Sequence, residues 1–315
     1  MMNYSKIGVF LVLAFGLSWL GLKLPDIWLA DQPITQLLVQ LLAYSWGPAL
    51  ATLITQRYIF QGSMARYGWN RKRYSFNWIL VSLLIPLGLV LATVGAIAIG
   101  GNLLHIPAFG EIALQQTQEF FNRPEIPMTG QEILSYISAI EFLPLEREDG
   151  FWTLLMLGIV LAMVGGASLN LLFNVGEEVG WRGFMIAETR SMGFMGSNLV
   201  IGVLHGLWQL PLVFHFGAFL GIDSLVDILS IVGFSISMAY PMAYLAMKTR
   251  SIYASATFLG VFNNLSQLTL LFIVMGNPYI ASTRGLIGMM LLMGVTYLII
   301  RRDSKFIDRY QDFAY

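Results

Sequence analysis

Asn174-Val-Gly-Glu177-Glu178-Val-Gly-Trp-Arg182-Gly-Phe184 closes an apolar run with two adjacent carboxylates and a guanidinium, in a chain otherwise poor in charge. Ionisable groups at membrane depth are costly and mark a functional site with a partner close by. Glu178 and Arg182 are four residues apart, which puts them on one helical face within ion-pair reach. Glu177 projects about 100° away from its neighbour and has no partner nearby in sequence. A held carboxylate beside a free one suits a general base braced by its neighbour. The plain alternative is a helix end at the cytoplasmic surface carrying a solvated Glu–Arg pair.

Around this stretch the composition is that of a membrane protein. Apolar and aromatic residues make up 57% of 315 and charged residues 11%, against about 25% charged in a soluble domain. Mean hydropathy is +0.69. The net charge is zero, so the chain has no electrostatic footprint for nucleic acid. It has no cysteine, hence no disulfide and no thiolate ligand or nucleophile, and only three histidines, His105, His205 and His215.

A span needs about 20 mainly apolar residues. Eight segments qualify: 5–24, 36–56, 77–100, 152–176, 196–217, 226–247, 252–275 and 284–300. The expected fold is an all-α polytopic helix bundle. With both termini cytoplasmic, only Lys23, Arg123, Arg147 and Arg284 of the 18 basic residues fall outside the cytoplasmic side, which is the bias that orients membrane proteins. No small-x-small cleavage site cleanly follows the first span before Pro25, so it reads as a retained helix.

Three regions follow. Residues 1–150 hold three spans and an acidic extracytoplasmic loop, 151–300 hold five spans, and 301–315 read as an amphipathic or frayed cytoplasmic tail. The loop, about 101–151, carries eight acidic residues against two basic. Within it, Glu111 to Phe121 and Gln131 to Phe142 have a loose helical period suited to the interface.

The Gly176-Glu-Glu-x-Gly-Trp-Arg-Gly-Phe184 string resembles the first motif of the CAAX protease and bacteriocin-processing (CPBP, or Abi) family. These are intramembrane endopeptidases that include the type II CAAX prenyl proteases. In the fifth span, Ile201-Gly-Val-Leu-His205-Gly-Leu-Trp208-Gln209-Leu-Pro211 is similar to the second motif, an aromatic residue followed four positions later by histidine. The Leu-Trp-x-Leu-Pro context lays the family histidine on Gln209, whereas a shifted register keeps it on His205. In the seventh span, Leu259-Gly260-Val-Phe-Asn263-Asn264 resembles the third motif, a histidine followed four residues later by asparagine. The histidine position holds Gly260 if Asn264 is the family asparagine, or Leu259 if Asn263 is.

The resemblance implies a site of one glutamate, two histidines and an asparagine around a metal ion or an activated water. Carried onto this chain, Glu177, Glu178, Arg182, His205 and Asn264 form the catalytic set, and Trp208, Gln209 and Asn263 line the substrate side. Glu177 and His205 are the implied ligands of a zinc ion. A catalytic zinc takes three protein ligands and an open position, and carboxamides are poor zinc ligands, so this zinc is weakly supported.

The implied activity is Glu-activated hydrolysis of a peptide bond in a membrane-associated peptide or protein, with membrane lipid as surroundings and a bacterial plasma membrane as location. The two substituted motif positions, which remove the family's metal chemistry, also support a second reading. In it the chain is a catalytically degenerate pseudoprotease acting as a membrane adaptor, immunity or regulatory protein. A small transporter predicts an internal repeat, and the sequence has none in evidence.

Overall fold

The computed structural model of the chain describes residues 2–69, 74–112, 150–216, 225–269 and 273–312. Most of the acidic loop, with Gln131 to Phe142 and the basic residues Arg123 and Arg147, lies outside these, as do Arg71, Lys72 and Arg73.

Nine long helices follow one another among the described residues: α1 Tyr4–Lys23, α2 Pro33–Leu53, α3 Phe76–Ile97, α4 Gly150–Ala167, α5 Leu169–Glu178, α6 Gly193–Phe216, α7 Leu225–Thr249, α8 Ile252–Thr269 and α9 Leu286–Arg302. Local chemistry starts several of them. Asn3 caps α1 by accepting from the Lys6 amide at 3.0 Å, satisfying one of the orphan donors of a first turn. Pro33 opens α2, where its fixed φ suits the helix and its missing N–H costs nothing.

Among the described residues, five helical runs are long and apolar enough to cross a membrane: Tyr4–Trp28, Pro33–Ile59, Phe76–Leu103, Leu169–His215 and Leu225–Thr249. The all-α membrane bundle expected from the sequence is the observed architecture. The three other expected spans correspond to α4, α8 and α9, of 18, 18 and 17 residues, at the short end of what a bilayer requires.

The expected span 152–176 differs from the observed chain, which breaks at Ser168 (φ −123°, ψ −77°) into α4 and α5. Gly165-Gly166-Ala-Ser168 precedes the break. Glycine is a weak helix former, and Gly/Ser pairs are a common cause of kinks. The Ser168 hydroxyl bonds back to the Val164 carbonyl at 2.6 Å. The expected span 252–275 also ends early. Ile273–Val274 is extended and pairs antiparallel with Glu111–Ile112, the only sheet pairing among the described residues.

α8 sits at the centre, against α3, α4, α5 and α7. Its Phe258, Phe262 and Leu265 join Met238 and Met242 of α7 in one apolar core. α4 and α8 approach at Gly166 and Gly260, where a Cβ on Gly260 would lie 2.2 Å from the Gly166 carbonyl oxygen. Backbone contact of this kind needs small residues, as is general for membrane helices.

At one end of the bundle Lys6 and Arg66 both bind Glu188 Oε1, at 2.5 and 2.7 Å, and Lys6 also donates to the Tyr67 hydroxyl. Burial pushes that phenol up to about 12. The tail is docked rather than frayed. Lys248 pairs with Asp303 at 2.5 Å, and the fully buried Tyr310 donates to Ser197 Oγ at 3.1 Å.

Gly260→Ala is expected to destabilise the protein by about 1–3 kcal/mol, the usual cost of overpacking a tight core. The readout is the thermal midpoint of the detergent-solubilised protein, and an unchanged midpoint would contradict the close α4–α8 contact.

Candidate functional site

The first motif ends α5 and continues into a π-helical turn, Val179–Met185, a feature that recurs at functional sites. The chain then reverses at Gly193, whose φ of +74° is a left-handed conformation that favours glycine. The reversal lays α6 back along this segment and sets His205 against Trp181 and Arg182.

Arg182 Nη1 donates to Glu178 Oε1 at 2.7 Å, and both side chains have zero exposure. The same nitrogen lies 3.4 Å from His205 Nδ1, while Nη2 points at Met242 Sδ of α7. A guanidinium can only donate, so Nδ1 is the acceptor here. The neutral ring then carries its proton on Nε2, a tautomer assigned from these partners. The ring stacks on Trp181 at 5.1 Å and faces Trp208 at 5.5 Å, and Trp208 packs on Tyr44 of α2 at 4.4 Å.

Glu177 turns the other way, as its 100° offset requires, and keeps 14% exposure. Ser45 of α2 donates to its Oε1 at 3.1 Å. Its Oε2 lies 3.7 Å from His205 Nε2. Gln209, one turn on from His205, brings its amide to 3.2 Å from that same Nε2; only the amide oxygen can accept from an Nε2–H, so the amide is assigned with its oxygen toward the ring. The approach of α2 depends on Gly176, where a Cβ would stand 2.6 Å from the Ser45 carbonyl oxygen.

Glu177 opens onto a cavity of about 210 Å³ that Trp208, Gln209, Leu259, Asn263 and Arg284 also line. This separates the two asparagines. Asn263 faces the cavity and accepts from Arg284 Nη2 at 3.0 Å. Asn264, the expected catalytic asparagine, points elsewhere: it accepts from Asn170 at 2.6 Å and donates to the Ala162 carbonyl at 3.2 Å. These bonds tie α8 to α4 and α5. Gly260, in register with Asn264, faces Gly166 with no room for a side chain, while Leu259, in register with Asn263, lines the cavity.

His215 lies away from the site, with Lys23 Nζ at 2.7 Å and Asp26 at 3.8 Å. Ser45 and Arg284 were not among the residues expected at the site. Ser45 carries no signal beyond being a hydroxyl on an apolar helix.

Glu177 and His205 are close enough to face a common ion, but no group of three His, Cys, Asp or Glu that could hold a metal occurs among the described residues. A catalytic zinc uses three protein ligands. The next donors here are carboxamides, and Nε2 of His205 carries a proton in the tautomer that Arg182 sets. The residues do not fit a resident zinc, and no step below is drawn through one.

A family model described as type II CAAX prenyl endopeptidase Rce1-like matches residues 150–265. This stretch of the chain is similar to the CAAX-protease family. No curated protein matches the chain. The matched stretch runs from α4 into α8 and contains Glu177, Glu178, Arg182, His205, Gln209, Asn263 and Asn264, while Ser45 and Arg284 lie outside it.

Arg182→Ala would strand a fully buried Glu178, so a loss of about 3–5 kcal/mol is expected. Replacing the pair together, Glu178→Leu with Arg182→Met, should recover much of that loss in the same thermal assay. Additive effects would mean that the two groups are not coupled.

Proposed function

We propose that the protein is an intramembrane endopeptidase of the CPBP type, in which Glu177 activates a water for attack on a peptide carbonyl. The observation that carries this reading is the position of Glu177. It is the partly exposed carboxylate at a cavity wall, 3.7 Å from an imidazole, directly before a glutamate that is fully buried and ion-paired. The family match supports a protease-like hydrolase of this class.

In this mechanism Ser45 and the backbone of α5 hold Glu177 toward the cavity, where a water seated against Oε2 gives up its proton as it attacks. His205 acts as a neutral donor. Its Nε2–H polarises the carbonyl and then stabilises the tetrahedral oxyanion, the role that preorganised donors fill in acyl transfer. Gln209 steers that N–H. Glu178 and Arg182 are positioning residues: they lock the π turn and fix the imidazole tautomer. Glu177 then returns its proton to the leaving amine, so the peptide bond breaks with water as the only co-reactant. The substrate class suggested by the family is a membrane-associated peptide or protein.

The pseudoprotease reading has one observation in its favour, the absence of an imidazole at both Leu259 and Gly260. One experiment separates the two. Purified protein is given a panel of membrane-tethered peptides, wild type against Glu177→Gln, with and without added zinc. Turnover should fall at least 10²-fold in the variant, the lower range for losing a general base, while its thermal midpoint stays near wild type. A folded wild type that cuts nothing in the panel under either condition would favour the adaptor.

A His205→Ala substitution should lower kcat and kcat/KM together, because the donor is used mainly in the transition state. A change confined to KM would instead make His205 a binding residue.

A further inference from the structure

Two helices end side by side in cations. The span Leu225–Thr249 carries Lys248 in its last turn and is followed by Arg250, and α9 closes on Arg301 and Arg302. The chain then turns into the short helix Ser304–Asp308, whose Phe306 ring packs on Tyr244 of α7 at 5.2 Å. Between these elements lies a cavity of about 430 Å³, with Met247 and Phe306 as its apolar lining and charged groups around them. The volume falls within the ~300–1,000 Å³ of small-molecule sites.

The charges of this cavity do not cancel. Lys248 pairs with Asp303 at 2.5 Å, and Tyr244 donates to the same carboxylate at 2.9 Å, so that acid is taken. Lys305, Arg309 and Arg250 remain, against Asp312. Arg250 has a partner of its own and adds charge to the wall without serving as a ligand. Lys305 and Arg309 are exposed, and among the described residues no hydrogen bond or ion pair engages either side chain. Positive charge at span ends is general. A cavity between two unengaged cations is a more specific feature.

The depth of the cavity in the bundle says which anion it meets. Spans stop here, which puts it at the level of lipid headgroups. Tyr297 and Leu298, in the last turns of α9, are 59% and 55% exposed, and Arg301 lies over the Tyr297 ring at 5.8 Å. Aromatic and basic groups together mark the membrane interface. A phosphate accepts well from an ammonium and a guanidinium, and basic pockets between membrane helices suit anionic headgroups.

We propose that the cavity binds the phosphate of an anionic phospholipid, with Lys305 and Arg309 donating to it and the acyl chains lying along Tyr297 and Leu298. The site shares no lining residue with the cavity at Glu177, and the inference does not depend on the endopeptidase reading.

The test uses full-length protein in a neutral detergent, titrated with phosphatidylglycerol or with phosphatidylcholine of the same chains. Bound lipid is counted by native mass spectrometry. Wild type should bind its first phosphatidylglycerol about 10–30-fold more tightly than Lys305→Gln/Arg309→Gln does, from about fivefold per cation. Affinity for phosphatidylcholine should be the same in both proteins. The charge-retaining Lys305→Arg/Arg309→Lys protein should keep the preference. Arg57→Gln removes an exposed cation outside the cavity and should leave the affinity nearly unchanged. Inorganic phosphate at equal concentration should not displace the lipid.

The proposal is overturned by equal binding of the two lipids, by no retained phosphatidylglycerol, or by a preference that survives Lys305→Gln/Arg309→Gln. A preference that falls as far in Arg57→Gln also overturns it, since the effect is then one of overall charge. Displacement by phosphate alone overturns it in favour of a free-anion site. If the double variant fails to fold, Lys305→Gln and Arg309→Gln decide singly, and an affinity unchanged in both sinks the idea.

Discussion

The arrangement depends on the Glu178–Arg182 pair. Two formal charges with no solvent exposure persist in a low-dielectric bundle only because each neutralises the other, and removal of either leaves an uncompensated buried charge. The pair spans the junction of α5 with its π turn, so it holds the backbone that presents Glu177. Arg182 also reaches His205 and Met242. One guanidinium thereby ties the motif segment to α6 and α7 and sets which imidazole nitrogen carries hydrogen. The ordering of the cavity wall follows from that constraint.

The bundle was legible to the extent that hydropathy and spacing carry it. The apolar runs mark the helices, and the i,i+4 spacing of Glu178 and Arg182 survives as a real ion pair. Hydropathy could not locate the break at Ser168, because apolar residues run on through it, from Leu161 to Val164 before and from Leu171 to Phe173 after. The cause lies in the backbone, where Gly165, Gly166 and Ser168 weaken the helix and the flank of α4 must meet Gly260 of α8. The docked tail was hidden for a similar reason: nothing in the local sequence shows that Tyr310 is buried against Phe194 and Ser197.

At the site, the residues that motif spacing brings together are Glu177, His205, Trp208 and Gln209, which share one neighbourhood. The choice between Asn263 and Asn264 could not be made from spacing, since adjacent helical residues differ by 100° and only packing says which one faces the cavity. Asn264 has a complete structural account in its bonds to Asn170 and the Ala162 carbonyl. Ser45 comes from a helix some 130 residues earlier and is visible only in three dimensions. Arg284 did leave a trace. It is one of four basic residues that run against the charge bias of the inferred topology, and a cation retained on the disfavoured side invites a specific reason.

The substitutions at the family's histidine positions form a coherent set when read with their surroundings. Position 260 has no space for any side chain, so an imidazole there would force α4 from α8. Position 259 faces the cavity and carries an isobutyl group, which adds wall but no ligand. What faces Glu177 is a pair of donors, the Ser45 hydroxyl and the His205 Nε2–H. Metal ligands present lone pairs, and these two groups present hydrogens. On the reading proposed above, stabilisation of negative charge falls to groups the chain itself supplies, the His205 Nε2–H first among them, held in place by the Glu178–Arg182 pair behind it.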